Sequence, residues 1–375
     1  MIISVFTPHG GCPERCRFCD QRVSGGEAIS AKAVREQIEI HLRSNFSGPT
    51  QVAFYGGTFT AMPRERQLAY LLEVRPYLES GAVSSVRIST RPDALEAAWL
   101  ERLKNEFHLA TVELGAQSFN TNSLRALGRS HSVAQIGEGV KLLHDLGLES
   151  GLHFMIGVPE ETPSNDEDLV QNVLRLRPGM VRLHPLLVIT ATPLEEEWRR
   201  GLFHPIELEA AVERCAWLTP RIEAAGIPVI RLGLQANELL GAYVLAGAYH
   251  PAFGDLVRGR VWRNRLEIEF ENAHVPPNAK VELQVNERDL GTVRGPGSAN
   301  VEWLRKRFAL RYIRVRPGRV IKGTHEVRIY DPPRAPERGK VQHPQPSGGG
   351  RARHRHAKAA DDVAELARLR GSTRP

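Results

Sequence analysis

The sequence predicts an α/β fold, a partial (β/α)6-type barrel with a smaller appendage, and three observations point to it. From residue 1 to about 235, short apolar, β-branched runs alternate with longer amphipathic segments, the pattern of parallel strands joined by helical crossovers. Three of the four cysteines fall within eight residues, directly after the first of those runs. Each later run ends in residues that suit binding better than packing, and in such barrels the functional groups come from the C-terminal ends of the strands.

The first strand, residues 2–6, runs into Cys12-Pro-Glu-Arg-Cys16-Arg-Phe-Cys19. Three thiolates from one loop can hold three irons of a [4Fe–4S] cluster, for which cysteine is the usual ligand, and the fourth iron is then open to a small molecule. A zinc site would need a fourth Cys or His to close a tetrahedron. The candidates are Cys215, far along the chain, and His9, which precedes the loop. A redox pair of Cys16 and Cys19 leaves Cys12 without a role, and structural disulfides suit small secreted proteins.

The second strand, 51–55, ends in Tyr55-Gly56-Gly57-Thr58-Phe59-Thr60, where paired glycines let bare backbone approach a ligand. The third, 85–88, ends in Ser89-Thr90-Arg91-Pro92-Asp93. The fourth, 111–114, ends in Gly115-Ala116-Gln117-Ser118, and Arg129-Ser130-His131 follows. The fifth, 152–156, ends in Gly157-Val158-Pro159-Glu160-Glu161-Thr162. The sixth, 181–188, carries Arg182-Leu183-His184-Pro185, and a seventh spans 229–232. Helical periodicity fills the gaps at 31–43, 64–78, 94–106, 133–146, 165–176 and 208–225. Taken singly each strand end is weak, since paired glycines usually mark turns. The recurrence at one end of successive strands is the signal. Cys215 lies at helical spacing among apolar residues and reads as a buried thiol.

Three segments of different charge divide the chain. Residues 1–257 are net −6, residues 258–330 net +8 and residues 331–375 net +5, giving the overall +7. The basic character thus belongs to an appendage, and such asymmetry suits a polyanionic partner or a solvated basic face. In the appendage, segments 266–270, 280–285, 308–314 and 325–330 alternate in the β manner, and residues 286–291 resemble a hairpin turn. Arg305-Lys-Arg307, Arg311, Arg314, Arg316 and Arg319 interleave with Phe308 and Tyr312. An RNA-contacting α+β or β domain has this composition, because guanidiniums bind phosphates and aromatics stack on bases. Residues 331–375, rich in Pro, Gly, Arg and His, predict a disordered basic tail. No basic leader precedes a long apolar run and no stretch of about 18 apolar residues occurs. The expected setting is therefore a reducing cytoplasm with no membrane partner.

The strand-end motifs, together with the cysteine loop and Phe18 before its third cysteine, resemble the radical S-adenosylmethionine (SAM) superfamily. They are most similar to proteins related to the catalytic subunit of Elongator, without the acetyltransferase half, and also to the oxygen-independent coproporphyrinogen oxidase group. The resemblance covers roughly residues 3–255, through Arg231-Leu-Gly-Leu-Gln235 and Tyr249-His-Pro-Ala-Phe-Gly254. It implies a radical SAM core barrel over 1–257 and an enzyme that uses a [4Fe–4S] cluster and SAM, fed by a flavodoxin- or ferredoxin-type electron donor. Hydrogen abstraction from a substrate follows, with RNA or tRNA the class favoured.

It also implies roles. Cys12, Cys16 and Cys19 would hold the cluster. Gly56 and Gly57 would offer carbonyls to the SAM amino group, and Arg129 would pair with its carboxylate. Ser89 and Gln117 would lie near its ribose and methionine parts. Gly157 would admit the adenine, with Phe18 close by, and His184 would face the substrate. The chain departs from the family pattern at Ser89 (usually a carboxylate), Glu160 (usually Gly), His184 (usually Tyr) and Thr190-Ala191-Thr192 (usually a Gly-Thr pair). The resemblance leaves two other readings, a haem carrier and a non-catalytic Fe–S RNA-binding protein. The His-Asn-x-x-Tyr-Trp segment of the haem-carrying relatives is missing.

Overall fold

A computed structural model describes residues 1–13, 15–20, 29–43, 48–162, 164–234, 238–330 and 353–355. They fall into two compact units, Met1–Pro251 and Ala252–Pro375.

The first unit is built on seven parallel strands, β1 (Ile2–Thr7), β2 (Gln51–Gly56), β3 (Ser85–Thr90), β4 (Leu109–Gln117), β5 (Glu149–Ile156), β6 (Met180–Pro185) and β8 (Val229–Leu232). They form one curled sheet in the order β1-β2-β3-β4-β5-β6-β8, a half-barrel with β1 and β8 as its edges. The short strand β7 (Leu187–Ile189) leaves this sheet after Pro185 and pairs antiparallel with β9 (Val244–Gly247). The predicted strand over 181–188 is therefore two strands. Crossovers are α1 (Ala31–Leu42), α2 (Arg64–Glu79), α3 (Ala97–Phe107), α4 (Thr121–Ala126), α5 (Val133–Asp145), α6 (Asn165–Leu176), α7 (Pro193–Arg199) and α8 (Leu208–Glu223), and the short α9 (Glu238–Tyr243) precedes β9.

Local sequence places their starts. Ser30 caps α1 by accepting from the Ala33 amide, Asn120 caps α4, and Ser132 with Gln135 forms a reciprocal capping box on α5, each satisfying amides that would otherwise be orphaned. One face of the sheet packs on these helices. Ile3, Val5, Val52, Phe54, Val86, Ile88, Val112, Leu114, Leu152, Phe154 and Leu183 there are at most 1% exposed. Burial of each such side chain contributes about 1.5–3 kcal/mol. Cys215 lies buried on α8 as expected, and burial pushes its thiol up to about 12.

The second unit departs from the sequence reading in three places. Residues 266–270 are not a strand but part of the 20-residue helix α10 (Phe253–Asn272), whose Trp262, Leu266 and Phe270 recur every four residues on its buried side. Residues 286–291 do not close a hairpin. β10 (Lys280–Val285) pairs parallel with β11 (Tyr312–Pro317), a geometry that requires a crossover, supplied by α11 (Leu290–Arg294) and α12 (Ala299–Arg307). Phe308 is not an exposed aromatic. Its ring packs edge-on against Phe270, 5.3 Å between centroids.

β12 (His325–Tyr330) is antiparallel to β10 and to β13 (Arg353–Arg355), giving the order β11-β10-β12-β13. Val281, Leu283, Val285, Ile313, Val315 and Val327 form the core side. The other side presents rows set by register: Tyr312, Lys280 and Tyr330, then Arg314, Glu282 and Arg328, then Arg316, Gln284 and Glu326. The expected disordered tail over 331–375 lies outside the described residues apart from β13, as does Gln235. No described helix is long and apolar enough to cross a membrane.

Candidate active site

The parallel strands bring all the motif-bearing ends to one edge of the half-barrel, and the cysteine loop lies along it. Its base is a backbone-on-backbone contact between two glycine pairs. A Cβ on Gly57 would stand 2.0 Å from the Gly10 carbonyl oxygen, and one on Gly11 2.3 Å from that of Thr58. Only glycine permits such an approach, and the Thr58 amide donates to Gly10 O at 2.7 Å. Further along, the Arg17 amide donates to Leu127 O and Leu194 N donates to Arg17 O, fixing the loop to the strand-four and strand-seven connections. Phe18 packs against the apolar cluster of Leu127, Val158, Leu186, Val188, Leu194 and Phe203.

Cys12, Cys16 and Cys19 are half-buried and form no disulfide among the described residues. Cys12 Sγ lies 3.5 Å from Thr58 Oγ1, and Arg129 Nη1 donates to Cys16 Sγ at 3.3 Å. Among the described residues no three Cys, His, Asp or Glu side chains converge on a single ion position. A cluster takes its thiolates at separate irons, and the loop offers that donor set. The residues fit: three thiols on one loop, backbone packed tightly beneath them, and a guanidinium against one sulfur.

Arg129 is held from several sides. Its Nη2 donates to Gly115 O at 2.9 Å, while Nε is buried without a partner. The neighbouring motif residues form its support. His131, 3% exposed, places Nε2 3.2 Å from Ala116 O. A carbonyl only accepts, so Nε2 carries the proton and Nδ1 is left bare and unpartnered. Burial and the Arg129 charge together push His131 down to about 4. Arg91 pairs with Asp93 through both oxygens and reaches Ser130. The Arg-Pro-Asp and Arg-Ser-His motifs thus brace one another and aim Arg129.

The other predicted residues line the same edge. Ser89 stands half-buried on β3, in register with Glu113. Gln117 ends β4 with φ of 64°. Gly56 ends β2 with φ of 105°, paired with Thr7. Gly157 has φ of 77°, and a Cβ there would meet Ile206 at 2.5 Å, so its missing side chain admits Ile206 as well as sparing backbone strain. His184 lies on β6, its ring 5.6 Å from that of His153. Burial, then the neighbouring His153, Arg182 and Arg231, hold its pKa well below the usual histidine range.

Sequence reading missed the centre of the sheet's inner face, the one turned away from the helices. Glu113 on β4 is fully buried. It accepts from Arg87 Nη1 (2.8 Å), Arg182 Nη2 (2.8 Å) and Tyr55 OH (3.0 Å), and His153 Nε2 lies 2.7 Å away. Arg182 also donates to the Tyr55 hydroxyl. Burial alone would raise the Glu113 pKa, but His153 and the two guanidiniums outweigh it, and the carboxyl lies well below the usual range. Five strands meet at this group. The signal was present as polar residues at alternate positions of otherwise apolar strands.

Comparison with known proteins agrees with this geometry. The pattern described as the Radical SAM superfamily matches residues 6–173, and that of the Radical_SAM C-terminal domain matches 178–263. An uncharacterised Methanocaldococcus jannaschii protein is 28% identical over 208 residues, covering 54% of this chain and 61% of that protein. A tRNA uridine(34) acetyltransferase of Methanocaldococcus infernus is 27% identical over 255 residues, covering 56% of this chain and 48% of the relative. The chain spans about half to three fifths of the length of these curated relatives. The fold is similar to that of archaeal Methanocaldococcus infernus Elp3, with a TM-score of 0.55 at 19% identity, over 88% of this chain and 73% of that one.

Proposed function

For a chain that belongs to the radical SAM superfamily, we propose hydrogen abstraction from an RNA substrate, of the tRNA kind, by reductive cleavage of SAM. The observation that carries this reading is the cysteine loop seated on the C-terminal edge of the half-barrel with Arg129 against Cys16. When bound, a [4Fe–4S] cluster on Cys12, Cys16 and Cys19 supplies the electron, received from a flavodoxin- or ferredoxin-type donor, that splits SAM into methionine and a 5′-deoxyadenosyl radical. The chain's own residues then have separate tasks. Gly10, Gly11, Gly56 and Gly57 keep side chains out of the space beside the loop. Arg129 supplies positive charge there, suited to a carboxylate. Ser89 and Gln117 offer polar groups along the edge, and His184 faces the interior where a substrate carbon would be presented.

Support for RNA comes from the second unit and from a relative's name. Tyr312, 41% exposed, and Tyr330 flank Lys280 in one row of the open sheet face, with Arg314, Arg316 and Arg328 beside them. Stacking aromatics among guanidiniums on a sheet suit single-stranded RNA. The M. infernus relative is named for a tRNA uridine.

The test is anaerobic reconstitution with iron and sulfide, dithionite reduction and addition of SAM, reading 5′-deoxyadenosine by chromatography. Wild type forms it, and Cys12→Ala, Cys16→Ala and Cys19→Ala each abolish it. A cluster-bearing wild type that never cleaves SAM sinks the enzymatic reading. A tRNA transcript titrated into the same protein binds with a steep salt dependence, and Tyr312→Ala with Arg314→Ala weakens it about tenfold or more. Binding unchanged by that pair removes RNA from the reading.

A further inference from the structure

The inner face of the half-barrel holds more positive charge than it neutralises. On β6 and β8, Arg182 and Arg231 stand opposite one another in register, and two guanidiniums side by side repel unless an anion lies between or beside them. Arg182 is engaged by Glu113 and the Tyr55 hydroxyl. The Arg231 guanidinium, half-buried, makes no ion pair or hydrogen bond among the described residues. Glu113 is already shared between Arg87, Arg182 and His153, so it has no capacity left for a third guanidinium.

Two residues beyond Arg182 along β6, and hence on the same face, His184 presents a solvent-shielded Nε2 with no hydrogen-bond partner. A buried polar atom left unpaired costs about 1–3 kcal/mol, and it lies beside a cation with no counter-charge among the described residues. The two defects have one remedy. A ligand oxyanion would give Arg231 its counter-charge and His184 Nε2 an acceptor together.

We propose that Arg231 and His184 form an oxyanion-receiving subsite for the substrate of this half-barrel, taking a carboxylate or a phosphate. The guanidinium offers its fork of N–H donors, suited to either group, and neutral His184 donates one hydrogen bond from Nε2. Glu113 sets the geometry by holding Arg182 and His153 aside, so that neither competes for the ligand. The proposal deepens the reading of the barrel as a substrate chamber and rests on it. It adds that the substrate is anchored by a charged group on the β6–β8 side, across the sheet from β1 and β2.

The experiment uses cluster-loaded full-length protein under anaerobic conditions, with inorganic phosphate, acetate and neutral acetamide as probes, followed by calorimetry. SAM affinity is measured on the same samples. Wild type binds phosphate or acetate and ignores acetamide. Arg231→Gln weakens that binding at least tenfold and His184→Ala about three- to tenfold, while SAM affinity changes less than threefold. Arg231→Lys retains part of the binding, which keeps the test valid if Arg231→Gln fails to fold. Tighter phosphate than acetate assigns the anion to a nucleotide backbone, and the reverse order assigns it to a carboxylate substrate. Anion binding that survives both substitutions overturns the proposal. So does SAM affinity falling in step with anion binding, since the pair would then serve SAM itself. The deoxyadenosine assay is separate. Anion binding without SAM cleavage would fell the enzymatic reading alone.

Discussion

The two faces of the seven-stranded sheet are made from the same strands, residue by alternate residue, and have opposite chemistry. The outer face, packed on helices, is a continuous apolar layer. The inner face carries Tyr55, Arg87, Glu113, His153, Arg182 and His184. Parallel sheets covered on both faces read as unbroken hydrophobic runs, so a strand that alternates Arg-Ile-Ser or Glu-Leu-Gly signals that its second face does something other than pack. The outer layer holds the fold through area removed from water. The inner layer is a charged network whose removal from water is costly, and a buried ion cluster is weak evidence for stability. The comparison teaches that the sheet's stability lies on one face and its chemistry on the other.

The largest expected effect breaks one member of the inner network. Glu113→Ala leaves Arg182 and His153 without their carboxylate and Arg87 with only Glu149, 4.0 Å away, and destabilises by about 3–5 kcal/mol, read from urea unfolding at pH 7. Replacing the cluster as a unit, with Glu113→Leu, Arg87→Met and Arg182→Met together, restores stability to within about 2 kcal/mol of wild type. A triple variant as unstable as Glu113→Ala would show that the inner face holds the fold as the outer face does, and the division of labour would fall.

How much of this was legible follows the same division. The strand-helix alternation, most of the long helices and the cysteine loop could be read because the outer face imposes periodicity and because cysteines have few uses. The inner constellation was not, since Arg87, Glu113 and His153 come from segments far apart in sequence and each looked incidental within its own strand. In the second unit, Leu-Glu-Ile-Glu-Phe mimics a strand over five residues. Only the four-residue recurrence of Trp262, Leu266 and Phe270 over a longer window reveals α10. The departures from family glycines have a backbone reading. Glu160 and Ala191 hold φ of 61° and 60°, so the left-handed turns are kept and each non-glycine residue bears a cost of about 1–2 kcal/mol. Asn120 Nδ2 donates to Glu160 O, and Ala191 N to Glu195 Oε2, which holds both turns in place.

A second prediction concerns His131, where the support of Arg129 meets the end of β4. Its pKa is lowered in the fold from 6.5 to about 4, so the unfolded chain binds a proton that the native state refuses. The contribution is therefore fully present above pH 6.5 and is lost as pH falls from 6.5 to about 4. Over that window the loss is on the order of 3 kcal/mol. His131→Gln keeps a donor for Ala116 O and removes the titration. The difference in unfolding free energy between pH 7 and pH 4 should shrink by about that amount. An unchanged acid limb would mean that His131 takes up its proton without disturbing the Arg129 loop. Glu113 enters only at the bottom of this window, since its contribution starts to be lost as pH falls through the unfolded carboxyl value of 4.5 and most of the loss lies below pH 4.

The smallest effect is the most discriminating. Tyr55, on β2, combines an apolar ring contact with a polar tie to the inner network. Its ring lies 6.5 Å from that of Phe6, and its hydroxyl donates to Glu113 while accepting from Arg182. Tyr55→Phe keeps the ring and removes only the hydroxyl. Glu113 retains both guanidiniums and His153, so no charge is orphaned, and the expected loss is about 1 kcal/mol in urea unfolding. Burial, and next the Glu113 charge, raise the Tyr55 pKa, so the hydroxyl stays protonated and the loss should be flat from pH 6 to 9. A loss of about 3 kcal/mol or more would make the inner network a cooperative unit in which each hydrogen bond polarises the next. No loss at all would show that Arg87, Arg182 and His153 alone fix Glu113, with Tyr55 serving only to wall the chamber.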